Sequence, residues 1–378
     1  MQAILIRRAA GLICVAMTAG LFVIGLWPFS FNLPNNVHWL ADRAGLRFRP
    51  HGMAYDPQLL PADSHVPLNQ GEAFTVEIWL KADAEPDDNV FHILTIDDGH
   101  LPSNFALCQW NSGILVRIPA NRYARETQEV GVAGALKEPT PRFLTVVGDR
   151  SGTVLYLDGT LAERYSDFVL PARTLKGRLI LGDSTEGKHS WTGKLFGLAI
   201  FSRALDAADV ARHHSAWTNN LAKQLANESD LVACYHFDQR NAGWAQDSSP
   251  NGHRLLIPPR YQVLHKTVLV PPWTDFSPNL SGLRDVLINI LGFAPFGFCV
   301  LLYCQLAARE RPILNAVLTV CAGAAVSLLI ELIQVWLPIR VSSATDLVCN
   351  ILGTLLGVLL ARIVMRNDGG VRSRSAIK

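Results

Sequence analysis

Apolar positions along this chain fall into two regimes: long uninterrupted runs near both ends, and short alternating segments in between. Ala9–Phe29 carries no charged side chain and, as a helix rising about 1.5 Å per residue, is long enough to cross about 30 Å of hydrocarbon. The run ends in Trp27-Pro28-Phe29-Ser30-Phe31 rather than in a small-x-small cleavage pattern, so it reads as an uncleaved anchor and not as a signal peptide. Three later runs, Val286–Leu306, Ile313–Leu337 and Leu347–Val364, predict further transmembrane helices.

Basic residues orient these spans. Arg7 and Arg8 precede the first, Arg309 and Arg311 separate the second from the third, and Arg362, Arg366, Arg372, Arg374 and Lys378 close the chain. Under the positive-inside rule all three groups are cytoplasmic, as four alternating crossings require. The expected organisation is a cytoplasmic N-terminus at 1–8, a first span at 9–29, an extracytoplasmic region at 30–278, a membrane domain at 279–366 and a cytoplasmic tail at 367–378. The formal net charge of +2 hides this asymmetry and gives no reason to expect nucleic acid as a partner.

Between Leu46 and Leu256 the period changes to that of strands. Phe74-Thr-Val-Glu-Ile-Trp-Leu80 and Phe143-Leu-Thr-Val-Val147 alternate. Val154–Leu161 contains an Asp158-Gly159 turn suited to a tight hairpin, and Arg178–Leu181 and Leu195–Phe201 add two more strands. With helical character only near Asp206–Ala226, the region predicts an all-β jelly-roll sandwich, making the whole a multi-domain chain with a four-helix α-helical membrane part.

Candidate chemistry in this region is sparse. Trp110, Trp191, Trp217 and Trp244 are candidates for stacking on sugar rings, against the commoner role of core or rim packing. Asp97-Asp98 could donate oxygens to calcium, though an acidic turn is the plainer reading, and no other cofactor is expected. His213-His214 reads as a solvated helix end, and Glu77 as a residue on the solvent face of a half-buried strand. Cys108 and Cys234 either form a disulfide or remain two buried thiols.

The membrane segments are richer. Asp285 and Asn289 open one helix, Glu331 and Gln334 close the next, and Arg340, Asp346 and Asn350 lead into the last. Spacings of three and four put each pair on one helix face. As a hairpin plus a return helix, the segments bring all seven residues to one membrane surface. An ionisable group within hydrocarbon is costly unless paired or wet. Two readings stay open: interhelical glue, with Arg340 held by Glu331 or Asp346, or an outer-leaflet site for a polar headgroup. Gly353 and Gly357 offer a small-xxx-small packing surface, and Pro295 removes a helix hydrogen bond.

Two resemblances follow from these motifs. Phe74–Trp79, Leu155–Gly159, Gly193–Leu205, Leu231–Phe237 and Asp247–Gly252 together resemble a laminin-G-like, concanavalin A-type domain. The resemblance implies glycan binding, sometimes with calcium; the Glu-x-Asp-x-x-Glu strand of its β-glucan-cleaving relatives is absent. From Asp285 the motifs Asp285-x-x-x-Asn289, Glu331-x-x-Gln334 and Arg340-x-x-Ser343-x-x-Asp346-x-x-x-Asn350 resemble the VanZ-like family. Its implied setting is the bacterial cytoplasmic membrane, with some members linked to resistance towards glycopeptides such as teicoplanin. The resulting expectation is an envelope protein whose partners are a lipid or lipid-linked headgroup and a surface glycan or envelope protein. The alternatives are a membrane-embedded enzyme acting on a lipid-linked substrate, against which stands the lack of an activated nucleophile, or a structural anchor for an adhesive domain.

Overall fold

The computed structural model describes residues 2–60, 73–83, 89–100, 103–120, 126–170, 172–228, 230–240, 243–275, 279–308 and 310–375. Arg309 and Lys378, used above for orientation, lie outside them. The chain divides into two compact units, Asn32–His265 and a second made of Met1–Phe31 with Lys266–Lys378.

The first unit is built of β1 (Val37–Trp39), β2 (Leu46–Phe48), β3 (Ala54–Leu60), β4 (Phe74–Ala82), β5 (Val90–Asp97), β6 (Phe105–Trp110), β7 (Gly113–Pro119) and β8 (Thr127–Val132). It continues with β9 (Arg142–Asp149), β10 (Gly152–Leu157), β11 (Thr160–Tyr165), β12 (Gly177–Leu181), β13 (Gly193–Phe201), β14 (Leu231–Tyr235), β15 (Trp244–Gln246) and β16 (Arg254–Leu256). One sheet runs β1-β2-β13-β4-β9-β10-β11 with β14 also on β13, and the other β15-β16-β3-β12-β5-β6-β7-β8. The ladders between these strands are antiparallel. The hairpin of β10 and β11 turns at Asp158 and Gly159, whose φ of 51° and 79° explain the Asp-Gly pair.

Strand alternation divides the apolar residues between two cores. Phe74, Val76, Ile78 and Leu80 of β4 face the inter-sheet core with Phe48, Phe105, Trp191 and Leu198. On the opposite face of the same sheet Phe143, Tyr156 and Phe201 form a second cluster, covered by Val210 and Trp217 of α1 (Ala207–Thr218) and by Leu225. Asp206 starts that helix by accepting from the Asp209 N–H. Cys108 and Cys234 are free thiols in strands of different sheets, so the disulfide alternative does not hold; burial pushes the Cys108 thiol up to about 12.

Among its described residues the second unit holds four helices long and apolar enough to cross a membrane. The N-terminal one, here αN, spans Gln2–Leu26; α2 is Leu280–Ala307, α3 Pro312–Gln334 and α4 Ala344–Ser375. Helix α2 begins earlier than its apolar run because Asn279 caps it, accepting from Gly282 N–H at 2.9 Å. Helix α4 continues through the segment read as a tail, and α3 stops at Gln334, leaving Val335–Leu337 in a turn. Helices α2 and α4 touch backbone to backbone. A Cβ on Gly353 would stand 2.2 Å from the Ile290 oxygen, and one on Gly357 2.0 Å from the Ala294 oxygen. Pro295 lies inside α2, next to that contact, and its missing N–H leaves the Leu291 carbonyl without the usual i+4 donor.

Candidate functional site

The turn between α3 and α4 is built from hydrogen bonds to its backbone. Lys266 donates through Nζ to the carbonyls of Leu337, Pro338 and Arg340 at 3.0, 3.0 and 2.6 Å. Ser343 Oγ accepts from Asp346 N–H at 3.2 Å, capping α4, while Glu331 Oε2 accepts from Ser343 N–H at 2.7 Å. A carboxylate there also meets the positive end of the α4 dipole.

Around this turn is a cavity of about 610 Å³, lined by Asp285, Asn289, Gln334, Arg340 and Asp346, with Ile24 and Gly25 of αN on another wall. Asn289 Nδ2 donates to Asp346 Oδ1 at 2.7 Å, and Gln334 Nε2 to the Gly25 carbonyl at 2.9 Å. Gln334 is 7% exposed, and its Oε1 is buried without a hydrogen-bond partner among the described residues. Five of the seven polar residues named from sequence thus line one cavity; Glu331 is buried outside its lining, and Asn350 donates to Ser327 Oγ at 2.9 Å between helices.

Arg340 corrects the expectation of an ion pair with Glu331 or Asp346. Its Nε and Nη2 donate to the Trp27 carbonyl at 3.1 and 2.6 Å. The carbonyls after αN have lost their helical donors, and a guanidinium fork satisfies one of them twice. Sequence reasoning missed Lys266 altogether; its only signal was a lone cation opening the stretch His265-Lys266-Thr-Val-Leu-Val-Pro.

Exposed aromatic side chains mark the same end of the helices: Trp27 and Phe29 just beyond αN, Trp336 just beyond α3, and Trp273 shortly before α2. The opposite end carries Arg7 and Arg8 of αN, Arg311, and Arg362, whose Nη2 donates to the Pro312 carbonyl at 3.2 Å.

In the sandwich several sequence readings need correction. Trp191 is a core residue with no face for a sugar, its Nε1 donating to Gln109 Oε1 at 2.8 Å; Trp217 packs in the second core with its Nε1 donating to Glu77 Oε2 at 3.3 Å and reaches only the edge of a cavity. Trp244 carries the Arg254 guanidinium 4.7 Å from its ring centroid, and Trp110 is 46% exposed. Glu77 is not on a solvent face but fully buried, because α1 covers that side of β4. His213 is likewise buried, its Nδ1 2.9 Å from Glu77 Oε1 and its Nε2 3.0 Å from Glu228 Oε1, so only His214 of that pair remains at the surface. Burial pulls the His213 pKa down, but the hydrogen bond and charge of Glu77 and the charge of Glu228 outweigh it and raise it. Asp97 is buried at the end of β5, Asp98 accepts from His100 N–H, and among the described residues no group of three or more His, Cys, Asp or Glu is placed to hold a metal.

A cavity of about 240 Å³ opens on the outer face of the β13 sheet, lined by Arg43, Trp79, Phe196, Trp217, Lys223 and His236 among others. Arg43 lies 4.9 Å from the Trp79 centroid and 4.3 Å from that of Phe196, a cation over two π faces. Trp79 and Phe196 entered the sequence reading only as strand residues, and Arg43 not at all.

Comparison with known proteins agrees with both modules. Residues 231–365 match the VanZ/LLP1 family, and residues 55–211 match the concanavalin A-like lectin/glucanases superfamily. The chain therefore joins a VanZ-like segment to a concanavalin A-like sandwich. Similar solved structures include the heptameric SAP-like pentraxin from Limulus polyphemus, at 14% identity and TM-score 0.34 over 49% of this chain and 81% of that one. The receptor binding domain of botulinum neurotoxin C/D mosaic serotype matches at 17% identity and TM-score 0.36 over 49% of this chain and 45% of that one, so this chain spans about half its length. No curated protein matches the chain.

Proposed function

We propose that this chain is a multi-pass envelope protein of the bacterial cytoplasmic membrane, crossing four times with both ends inside. Its membrane cavity holds a polar lipid headgroup, and its sandwich binds a surface glycan or envelope protein. The observation that carries the reading is the convergence of Asp285, Asn289, Gln334, Arg340 and Asp346 on one cavity at the aromatic-rimmed end of the helices. Trp side chains favour the headgroup level of a bilayer, and Arg residues gather on the cytoplasmic side, so the cavity opens at the outer interface. Beyond the contacts that hold the helices together, these groups line a volume large enough for a ligand. Teicoplanin-type resistance is the trait that the VanZ-like resemblance suggests for such a protein.

Native mass spectrometry of the intact protein from mild detergent tests the reading. Wild type should retain about one phospholipid, and Asp285→Asn combined with Asp346→Asn should release it while the protein stays folded. Wild-type protein that is fully delipidated under conditions preserving its fold would refute the headgroup site.

A further inference from the structure

We infer that the group held in the membrane cavity is a primary ammonium adjoining a phosphate, the headgroup chemistry of phosphatidylethanolamine. This rests on the reading that the cavity holds a headgroup, and goes beyond it by naming the chemical class.

Asp285 and Asp346 contribute carboxylates to the lining. Gln334 contributes an amide oxygen without a partner; its NH₂ is committed to the Gly25 carbonyl, so turning the amide over would set oxygen against oxygen. Asn289 spends its NH₂ on Asp346, leaving its own oxygen as an acceptor. Thr345, also in the lining, has a hydroxyl oxygen buried without a partner among the described residues. Against these stands Arg340, the cation of the described lining, with Nε and Nη2 on the Trp27 carbonyl and Nη1 left over.

The lining therefore has acceptors to spare and a single guanidinium to meet an anion. A buried acceptor without a donor is unfavourable, and a ligand that brings donors relieves it. A primary ammonium carries three N–H donors and a full positive charge, matching the Asp285 carboxylate and the Gln334 oxygen, with the Asp346 carboxylate beside them. The phosphate joined to it falls to Arg340. Competing headgroups fit less well. Phosphoglycerol brings net negative charge to two carboxylates. Choline has no N–H to give, and its usual partners are aromatic faces, of which the described lining has none.

The test reconstitutes the intact protein in nanodiscs with equal parts phosphatidylethanolamine, phosphatidylcholine and phosphatidylglycerol, then measures the lipids that stay bound after extraction. Ethanolamine lipid should be enriched over both others, and Asp285→Asn, at an exposed position, should reduce that enrichment about tenfold, the worth of one charge-assisted hydrogen bond. Gln334→Met, which removes the amide oxygen, should also lower it. Retention of phosphatidylglycerol or phosphatidylcholine instead would overturn the ammonium assignment while leaving a headgroup site standing; retention of no lipid would remove both. Enrichment unchanged by Asp285→Asn together with Asp346→Asn would also overturn it. In a parallel arm, isotopically labelled soluble phosphoethanolamine bound by the protein without any lipid enrichment would overturn the membrane lipid as source.

Discussion

In the sandwich the Glu77 carboxylate lies sealed beneath α1 with one oxygen on His213 and the other on Trp217, whereas in the helical unit the Gln334 carbonyl oxygen lies buried in a cavity wall with no donor among the described residues. Both are buried polar groups on regular elements. Saturation separates them: a network whose members all have partners closes a joint, and one with acceptors to spare can take a ligand. Asp183 and Asp247 follow Glu77, each carboxylate accepting from backbone and hydroxyl donors around it. Buried charge alone would have nominated all three as sites.

The comparison can be broken at its strongest point. Glu77→Leu should destabilise the 32–265 unit by about 3–5 kcal/mol, since His213 loses the carboxylate on its Nδ1. Adding His213→Leu should recover much of that loss in urea denaturation. Equal losses in single and double variants would mean that the network is no closed joint. Next in size is Lys266→Met, which strips three carbonyls of their shared donor and should lower the stability of the intact protein in detergent by about 1.5–3 kcal/mol. Hydrogen exchange should locate the loosening at the α3–α4 turn and leave the β-strand amides protected as before.

The smallest effect is a pH slope. His213 has a raised pKa, so its stabilising contribution is complete below the ordinary histidine value of about 6.5 and fades as pH rises through the folded value. The stability gap between wild type and His213→Gln should therefore be widest in mildly acid buffer and narrow towards alkaline pH. A gap that widens with pH would place the proton elsewhere in the network.

Much of this architecture was legible in the chain. The alternation of Phe74–Leu80 and Phe143–Val147, and the Asp158-Gly159 turn, report the local periodicity that strands and hairpins impose. Glu77 was misread because alternation says which residues share a face but not whether a second layer covers it; α1 comes from residues far along the chain. The polar stripes of the membrane helices were readable for the same local reason, since spacings of three and four fix a helix face. Arg340 was not, because a charge count suggests acids as partners while the actual partner is a main-chain carbonyl at the end of αN, which no side-chain pattern records. Arg43 and Trp79 came together only through the tertiary fold.

The close approach of α2 and α4 bears on how this gene can vary. Every missense codon change from glycine introduces at least a Cβ, and at Gly297, Gly353 and Gly357 that atom would fall 2.0–2.2 Å from a carbonyl oxygen of the facing helix. No replacement at these positions is conservative, however small or apolar. Gly20 and Gly292 lie in the same bundle with nothing within 4 Å of the added atom, so they form an internal control. In a saturation library scored for folded protein, the first three should be nearly invariant columns, and the latter two should accept alanine and serine freely.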